Sequence, residues 1–158
     1  MEAADRPLWA RFFEAHVERA NRPGAPGALA EFERRLAAQP TYLRRWLATA
    51  TITDPKAVVA LLVELGWLAG ARTSAPLVDP EGRQQRVALD RVRRALELFR
   101  DPPLSEAEQA HFSARFATLG ATTEPLLWQR TNDGTFLALA CALGLLRRPP
   151  PTQESPLP

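Results

Sequence analysis

The 158-residue chain is 46% hydrophobic and 24% charged with a net charge of +2, a globular composition that excludes a wholly disordered protein. No apolar run reaches the roughly 18 residues that span a bilayer, and no apolar signal segment follows the polar Met1–Pro7. The single cysteine, Cys141, excludes a disulfide framework within the chain and a multi-cysteine zinc site. We therefore expect a cytoplasmic protein that does not associate with membranes.

Large apolar residues recur at helical spacing along most of the chain, as with Trp9, Phe13 and Val17. This period predicts amphipathic helices. The predicted helices cover residues 9–20, 27–39, 41–52, 55–65, 85–99, 105–120, 124–130 and 135–146. The expected fold class is all-α or nearly so, with bundled or orthogonally crossing helices and any strand confined to the connection 69–84 or the turn 126–138.

Local signals mark where several of these helices begin and end. Asp54 precedes Pro55, which suits an N-cap followed by the first helical residue. Ser105 and Glu108 have the spacing of a capping box. Gly66 stands where a glycine commonly ends a helix.

The segment 69–84 differs from the helices around it, because Gly, Pro, Ser, Thr and Asp are frequent in it. It is predicted to be a long connection with a short hairpin around 79–82 or a wing-like loop. We place an N-terminal helical unit at residues 1–71 and a C-terminal helical unit at 72–148, packed on it as one compact domain. The tail 149–158 contains five prolines and is predicted to be disordered.

The two halves resemble each other at an offset of about 80 residues. Each half has the predicted order helix, proline turn, helix, Trp-bearing helix, apolar helix. The matching pairs are Phe32 and Phe112, Leu36 and Phe116, Trp46 and Trp128, Asp54 and Asp133, and Leu65–Leu68 and Leu143–Leu146. The pattern indicates two pseudo-repeated four-helix units, but a chain rich in Ala, Leu and Arg also produces such matches by chance. Both interpretations stay open.

Two of the predicted helices are apolar on all sides. Residues 55–65 carry only Lys56 and Glu64 as charges, and residues 135–146 carry none. A helix of this kind is normally buried, so each is expected at the centre of its half. The alternative is that one face of such a helix forms a subunit interface. Gly144, near the end of the second helix, is expected to serve close packing.

The first apolar helix also resembles part of a DNA-binding fold. Its end at Leu65–Leu68, followed by a loop and Arg83–Leu89, is similar to the end of a winged helix, in which this helix reads base edges and the loop is the wing. Such a helix needs polar side chains that reach the bases, and 55–65 offers little besides Lys56 at its start. Base readout is therefore not expected, whereas arginines of the loop and the next helix remain available to phosphates.

Arginine accounts for 19 of the 20 basic residues, and its distribution is uneven. Residues 72–100 carry a net charge of +3, and residues 101–134 carry −3. One stripe of the helix 85–99 alternates in sign, which is typical of a solvated face; it consists of Arg86, Asp90, Arg93, Glu97 and Arg100. Acids on the same helix do not fully balance Arg91 and Arg94. These two are expected either to meet an anionic partner or to pair with the acids at 101–124.

Few residues suggest catalysis. His16 has no His, Cys, Asp or Glu three or four residues away, and His111 has only Glu108, which is too few ligands for a metal site. Cys141 lies within an apolar helix. The chain has no nucleophile elbow, no P-loop and no dinucleotide-binding glycine motif. We therefore predict that the protein is not an enzyme and has no catalytic residue, metal or cofactor.

The sequence favours a non-catalytic protein that binds another protein or itself, as an adaptor, a regulator or a small helical subunit of an assembly. Trp67 is expected to be partly exposed, and tryptophan is enriched at binding hot spots. The alternative is a nucleic-acid-associated protein whose winged-helix-like element places arginines on phosphates. The candidate binding residues are Trp67, Arg72, Arg83, Arg86, Arg91 and Arg94.

Overall fold

A computed structural model describes Arg11 and residues 28–68, 78–120 and 123–152. These residues are mostly helical and contain no β-strand, which confirms the expected helical fold class. The helices in these ranges are α1 (Ala28–Ala37), α2 (Thr41–Thr53), α3 (Pro55–Glu64), α4 (Arg83–Leu98), α5 (Glu106–Phe116), α6 (Thr123–Gln129) and α7 (Asp133–Ala142). The predicted helix 9–20 lies outside the described residues except for Arg11, which is helical.

The chain divides into two compact units, Met1–Ala71 and Arg72–Pro158. In the first unit α2 contacts α3. Apolar residues from all three described helices of this unit have no exposed surface; they are Phe32, Leu36, Leu43, Leu47, Val58, Leu61 and Leu62. Their burial at helical spacing is what joins the three helices into one core.

In the second unit α4 contacts α5 and α7, and α6 contacts α7. Helix α7 is buried over seven consecutive residues, from Gly134 to Ala140. The aromatic rings of this core form a chain of contacts, with centroid distances of 5.9 Å from Phe112 to Phe116, 5.5 Å from Phe116 to Trp128, and 6.4 Å from Trp128 to Phe136. The apolar helix of this half therefore lies in the core, as expected.

The three predicted helix signals are confirmed. The Asp54 side chain accepts a hydrogen bond from the Ala57 backbone N–H at 3.3 Å. Ser105 and Glu108 form a reciprocal capping box. Gly66 adopts a left-handed backbone with φ of +76°, which a glycine tolerates without steric cost.

The C-terminal ends of two helices differ from the prediction. Helix α7 ends at Ala142 instead of residue 146, because Gly144 adopts a φ of +80° and reverses the chain. The expected close-packing role of Gly144 is therefore wrong, since its backbone terminates the helix. Helix α5 ends at Phe116, earlier than the predicted residue 120.

Helix α4 ends on a left-handed residue that is not glycine. Arg100 has a φ of +58°, and the Asp101 backbone N–H donates to the Leu96 carbonyl at 2.9 Å. This arrangement satisfies one of the last carbonyl groups of the helix.

The segment 79–82 forms a helix-capping turn and not the predicted hairpin. The Gly82 N–H donates to the Asp79 carbonyl at 3.1 Å, and Gly82 has a φ of +67°. The Asp79 carboxylate accepts from the backbone N–H groups of Gln84 and Gln85, both at 3.1 Å. Asp79 therefore satisfies the first free donors of α4. Residues 69–77 lie outside the described residues.

Helices α3 and α7 have matching ends. Each has ten residues. The N–H groups of Trp67 and Leu68 donate to the Leu62 carbonyl, and those of Leu145 and Leu146 donate to the Ala140 carbonyl. The N-cap of α7 is Asn132, so the counterpart of Asp54 is Asn132 and not Asp133. A duplication of the whole unit stays a prediction.

Leu62→Ala is expected to lower the free energy of unfolding by about 2–5 kcal/mol, because this fully buried side chain would leave a cavity. Lys56→Ala is the control on the same helix, and it should change the free energy by less than about 0.5 kcal/mol because Lys56 is exposed. Urea denaturation followed by far-UV circular dichroism measures both. Equal effects would contradict the buried position of α3.

Candidate functional site

The side chain of Arg91 is held inside the C-terminal unit. Its guanidinium donates to the Trp128 carbonyl at 2.7 Å and to the Thr131 carbonyl at 2.5 Å. Its Nε atom lies 3.7 Å from Asp133 Oδ1, and its Cζ atom lies 4.4 Å from the centroid of the Phe136 ring. Arg91 therefore joins α4 to the end of α6 and the start of α7.

The expectation that Arg91 carries unbalanced charge is wrong, because Asp133 faces it across the unit. The expected alternative partner was an acid in 101–124, and Asp133 lies beyond that segment. Burial lowers the pKa of Arg91, while the Asp133 carboxylate opposes this shift. A phosphate could reach this guanidinium only by competing with two carbonyl groups and a carboxylate, so the geometry weighs against Arg91 as a binding residue.

The exposed side of α4 carries the remaining described arginine candidates. We call it the α4 face, and it consists of Arg83, Arg86, Val87, Asp90, Arg93, Arg94, Glu97 and Leu98. Val87 and Leu98 are each 54% exposed, and they are two of the four large apolar side chains exposed in the described ranges. Eleven positions correspond to about three helical turns, so these two lie on the same side of α4.

The arginines at the start of the α4 face make only peripheral contacts. Arg86 Nη1 donates to the Glu81 backbone carbonyl at 2.8 Å. Arg83 Nη2 lies 3.8 Å from the Glu81 carboxylate, and both side chains are more than three-quarters exposed. Ion pairs with this exposure contribute little to stability, so both guanidinium groups remain accessible to a partner.

Two charged side chains further along the α4 face have no partner among the described residues. Arg93 pairs with Asp90 at 3.3 Å and donates to Gln109 Oε1 at 2.9 Å. The side chains of Arg94 and Glu97 make no hydrogen bond or ion pair with any described residue. The α4 face therefore presents unpaired charge of both signs beside exposed apolar side chains.

The other two sequence candidates do not join this face as described. Trp67 lies in the N-terminal unit and is half-buried, but so are Trp46 and Trp128. Among the described tryptophans, Trp67 is therefore not distinguished by partial exposure, which the sequence predicts for it. Arg72 lies outside the described residues.

Sequence reasoning missed Val87 and Leu98. The helical period places the apolar residues of α4 on the stripe that faces the core, where Val92 and Ala95 are fully buried. The same period predicts that Val87 and Leu98 are exposed, because both fall on the opposite side of the helix from that stripe. They are the apolar component of the candidate surface.

The winged-helix comparison does not extend to the elements around its loop. Five residues of α3 are buried, so this helix cannot enter a groove of DNA; they are Ala57, Val58, Ala60, Leu61 and Leu62. The segment Arg83–Leu89, which would follow the wing, is the start of α4. Of the loop that would be the wing, residues 79–82 form the capping turn of α4, and residues 69–77 lie outside the described residues.

The polar side chains of α5 serve the end of α7. Arg115 Nε donates to the Leu143 carbonyl at 2.8 Å, and His111 Nε2 donates to the Gly144 carbonyl at 2.6 Å. Leu143 and Gly144 directly follow the last residue of α7, and carbonyl groups at this position have no acceptor role within the helix. Cys141 lies on the same helix, and burial raises the pKa of its thiol to about 11. A neutral thiol is a poor nucleophile.

Arg148 fixes the chain that follows α7. It donates to the Pro102 carbonyl at 2.7 Å and to Glu108 Oε2 at 2.8 Å, and its side chain is 15% exposed. The Arg148 guanidinium, followed by the Ser105 backbone N–H, holds the pKa of Glu108 below its ordinary value. The capping box of α5 and the end of the helical region are therefore one polar network.

Among the described residues, no group of three or more His, Cys, Asp or Glu side chains could hold a metal ion. None of the helices within the described ranges is both long and apolar enough to cross a membrane. Comparison of the chain with protein-family models, curated proteins and solved structures found no significant match. The candidate surface therefore stands on its geometry alone.

Arg91→Ala is expected to lower the free energy of unfolding by about 2–3 kcal/mol, because two carbonyl groups and a carboxylate would lose a charged donor. Arg94→Ala is the matched control on the same helix, with an expected change below about 0.5 kcal/mol. Urea denaturation of both variants measures the difference. A stable Arg91→Ala variant would show that this guanidinium does not join the helices.

Glu108→Gln is expected to lower the melting temperature at neutral pH, because the amide keeps the geometry but loses the charge that pairs with Arg148. The folded pKa of Glu108 lies below the ordinary 4.5. Its stabilisation is therefore present above that ordinary value and is lost as the pH falls through the folded value.

The measurement is a series of thermal melts from neutral to acidic pH, with Glu106→Gln as the control in the same helical turn. The gap between wild type and Glu108→Gln should close at acidic pH, and Glu106→Gln should show no such gap. A gap that is constant across the pH range would indicate that the Glu108 charge contributes nothing.

Proposed function

We propose that the chain is a non-catalytic protein-binding module and that the α4 face is its binding surface. The observation that carries this proposal is the pair Val87 and Leu98, each 54% exposed on one side of a helix whose opposite side is core. Isolated exposed apolar residues are ordinary, but these two share a face with unpaired charge. Apolar anchors with polar surroundings are the usual composition of a protein interface.

The charges of this face fit a protein better than a nucleic acid. The α4 face combines four arginines with Asp90 and Glu97. A duplex laid along it would bring these two carboxylates towards its phosphates, and like charges repel. Arg91, which the nucleic-acid hypothesis needs as a phosphate ligand, is engaged inside the unit. A protein partner can place a charge of opposite sign against each charge of this face.

The test uses the full chain as bait in a lysate of the source organism after nuclease treatment. The variant Val87→Glu with Leu98→Glu is expected to lose most of the captured protein, because it puts two charges into the apolar part of the surface. Glutamate is a good helix former, and both positions are exposed, so α4 should survive the change.

The matched control is Ile52→Glu with Val78→Glu. These side chains are 73% and 77% exposed and lie outside α4. The control should capture the same proteins as wild type, identified by mass spectrometry. Capture that disappears with nuclease would favour the nucleic-acid alternative. Capture that both variants reduce equally would remove the α4 face from the proposal.

A further inference from the structure

We infer that the partner of the α4 face is a second copy of this chain, with the two α4 helices antiparallel. This inference rests on the proposed function, since it names what the same surface binds. It comes from the order of the charges along the helix and from the placement of the two exposed apolar residues.

Four of the six charges of the α4 face are complementary to their own reversed order, and they form the two pairs Arg86 with Glu97 and Asp90 with Arg93. Arg86 and Glu97 lie at equal distances on either side of the midpoint between Arg91 and Val92, and their charges are opposite. At a rise of about 1.5 Å per residue, each is about 8 Å from that midpoint. In an antiparallel pair, residues equidistant from a shared midpoint face each other, so each arginine meets a glutamate of the second copy.

A second charge pair has the same midpoint. Asp90 and Arg93 lie on either side of this midpoint, each about 2 Å from it along the helix axis, and their charges are again opposite. A two-fold axis makes every such contact twice, because residue i of one copy meets residue j of the other and the reverse. The alternating stripe therefore produces four ion pairs between two copies.

The exposed apolar residues fit the same arrangement. The midpoint of Val87 and Leu98 is one residue from the midpoint of the charges, a displacement of about 1.5 Å along the helix. Val87 of one copy consequently lies close to Leu98 of the other. The two side chains are equally exposed in the single chain, at 54%, and pairing would remove both from water.

The pairs within one chain leave these charges available. The Glu97 side chain makes no ion pair or hydrogen bond with any described residue, and among these residues the Arg86 side chain donates to the Glu81 backbone carbonyl alone. Arg93 already contacts Asp90, but a guanidinium has five N–H donors and can bind a further carboxylate. The side chains of Arg86, Arg93 and Glu97 therefore remain able to form ion pairs with a second copy.

The size of the surface predicts a weak dimer. A helix of 16 residues is about 24 Å long. One pair of such helices buries less than the roughly 1,200 Å² of a stable interface, so the association should be transient and dependent on concentration. Exposed ion pairs are screened by salt, and the dimer should weaken as the ionic strength rises.

The experiment is sedimentation equilibrium of the full chain over a range of concentrations at low salt. Wild type is expected to shift from one towards two chain masses as the concentration rises. Arg86→Glu and Glu97→Arg should each weaken the self-association by about tenfold, because two ion pairs become like-charge contacts. Circular dichroism and thermal melts confirm that each variant is folded.

Two further samples test the antiparallel register. An equimolar mixture of Arg86→Glu and Glu97→Arg chains should recover association, since each changed side chain then faces an opposite charge. The double variant Arg86→Glu with Glu97→Arg should also recover it, because positions 86 and 97 exchange their signs and still face opposite charges in the second copy. Arg45→Glu is the control for net charge, as this exposed arginine lies on α2, and it should associate like wild type.

Each opposite result overturns the inference. A wild type that stays monomeric, single variants that associate as well as wild type, or a mixture that fails to recover would exclude this pairing. None of these results decides the proposed function, because the capture from nuclease-treated lysate also detects a partner other than a second copy on the α4 face. Loss of that capture in the Val87→Glu with Leu98→Glu variant, together with a monomeric wild type, would leave the proposed function standing and the second copy excluded.

Discussion

The joining of α4, α6 and α7 depends on the placement of one partly buried guanidinium, that of Arg91. The core helix α7 is apolar and cannot supply partners for the polar groups around its own ends. Arg91 provides donors where the chain enters α7, and Arg115 and His111 provide them where it leaves. Beyond Asp133 in its first turn, α7 has no charged residue, and it can lie in the core because its neighbours satisfy the backbone groups at its ends.

Seven arginines of the C-terminal unit consequently form two groups with different roles. Arg91, Arg115 and Arg148 bind backbone carbonyl groups within the unit. The arginines of the α4 face have few or no such partners. Composition alone cannot separate these groups, because both consist of the same residue type. The division depends on which side of a helix meets another helix, and it leaves only the second group for intermolecular contacts.

The sequence predicted the features that depend on neighbouring residues. The helix positions, the Asp54 cap and the Ser105 capping box follow from local spacing, and the structure contains them. The contact of Arg91 with Asp133 could not be predicted, because it joins positions 42 residues apart whose proximity only the packed helices create. Gly144 indicates the early end of α7, but residues 135–146 are mostly good helix formers and favour a longer helix.

The end of α4 also has an energetic consequence that the glycine-terminated helices do not share. A left-handed backbone costs a residue with a side chain about 1–2 kcal/mol that glycine avoids, and Arg100 adopts this backbone. A cation at the C-terminus of a helix recovers about 0.3–1 kcal/mol through the helix dipole. Part of the strain is therefore offset, and the residue that stops α4 carries a positive charge of its own, which Gly66 and Gly144 do not.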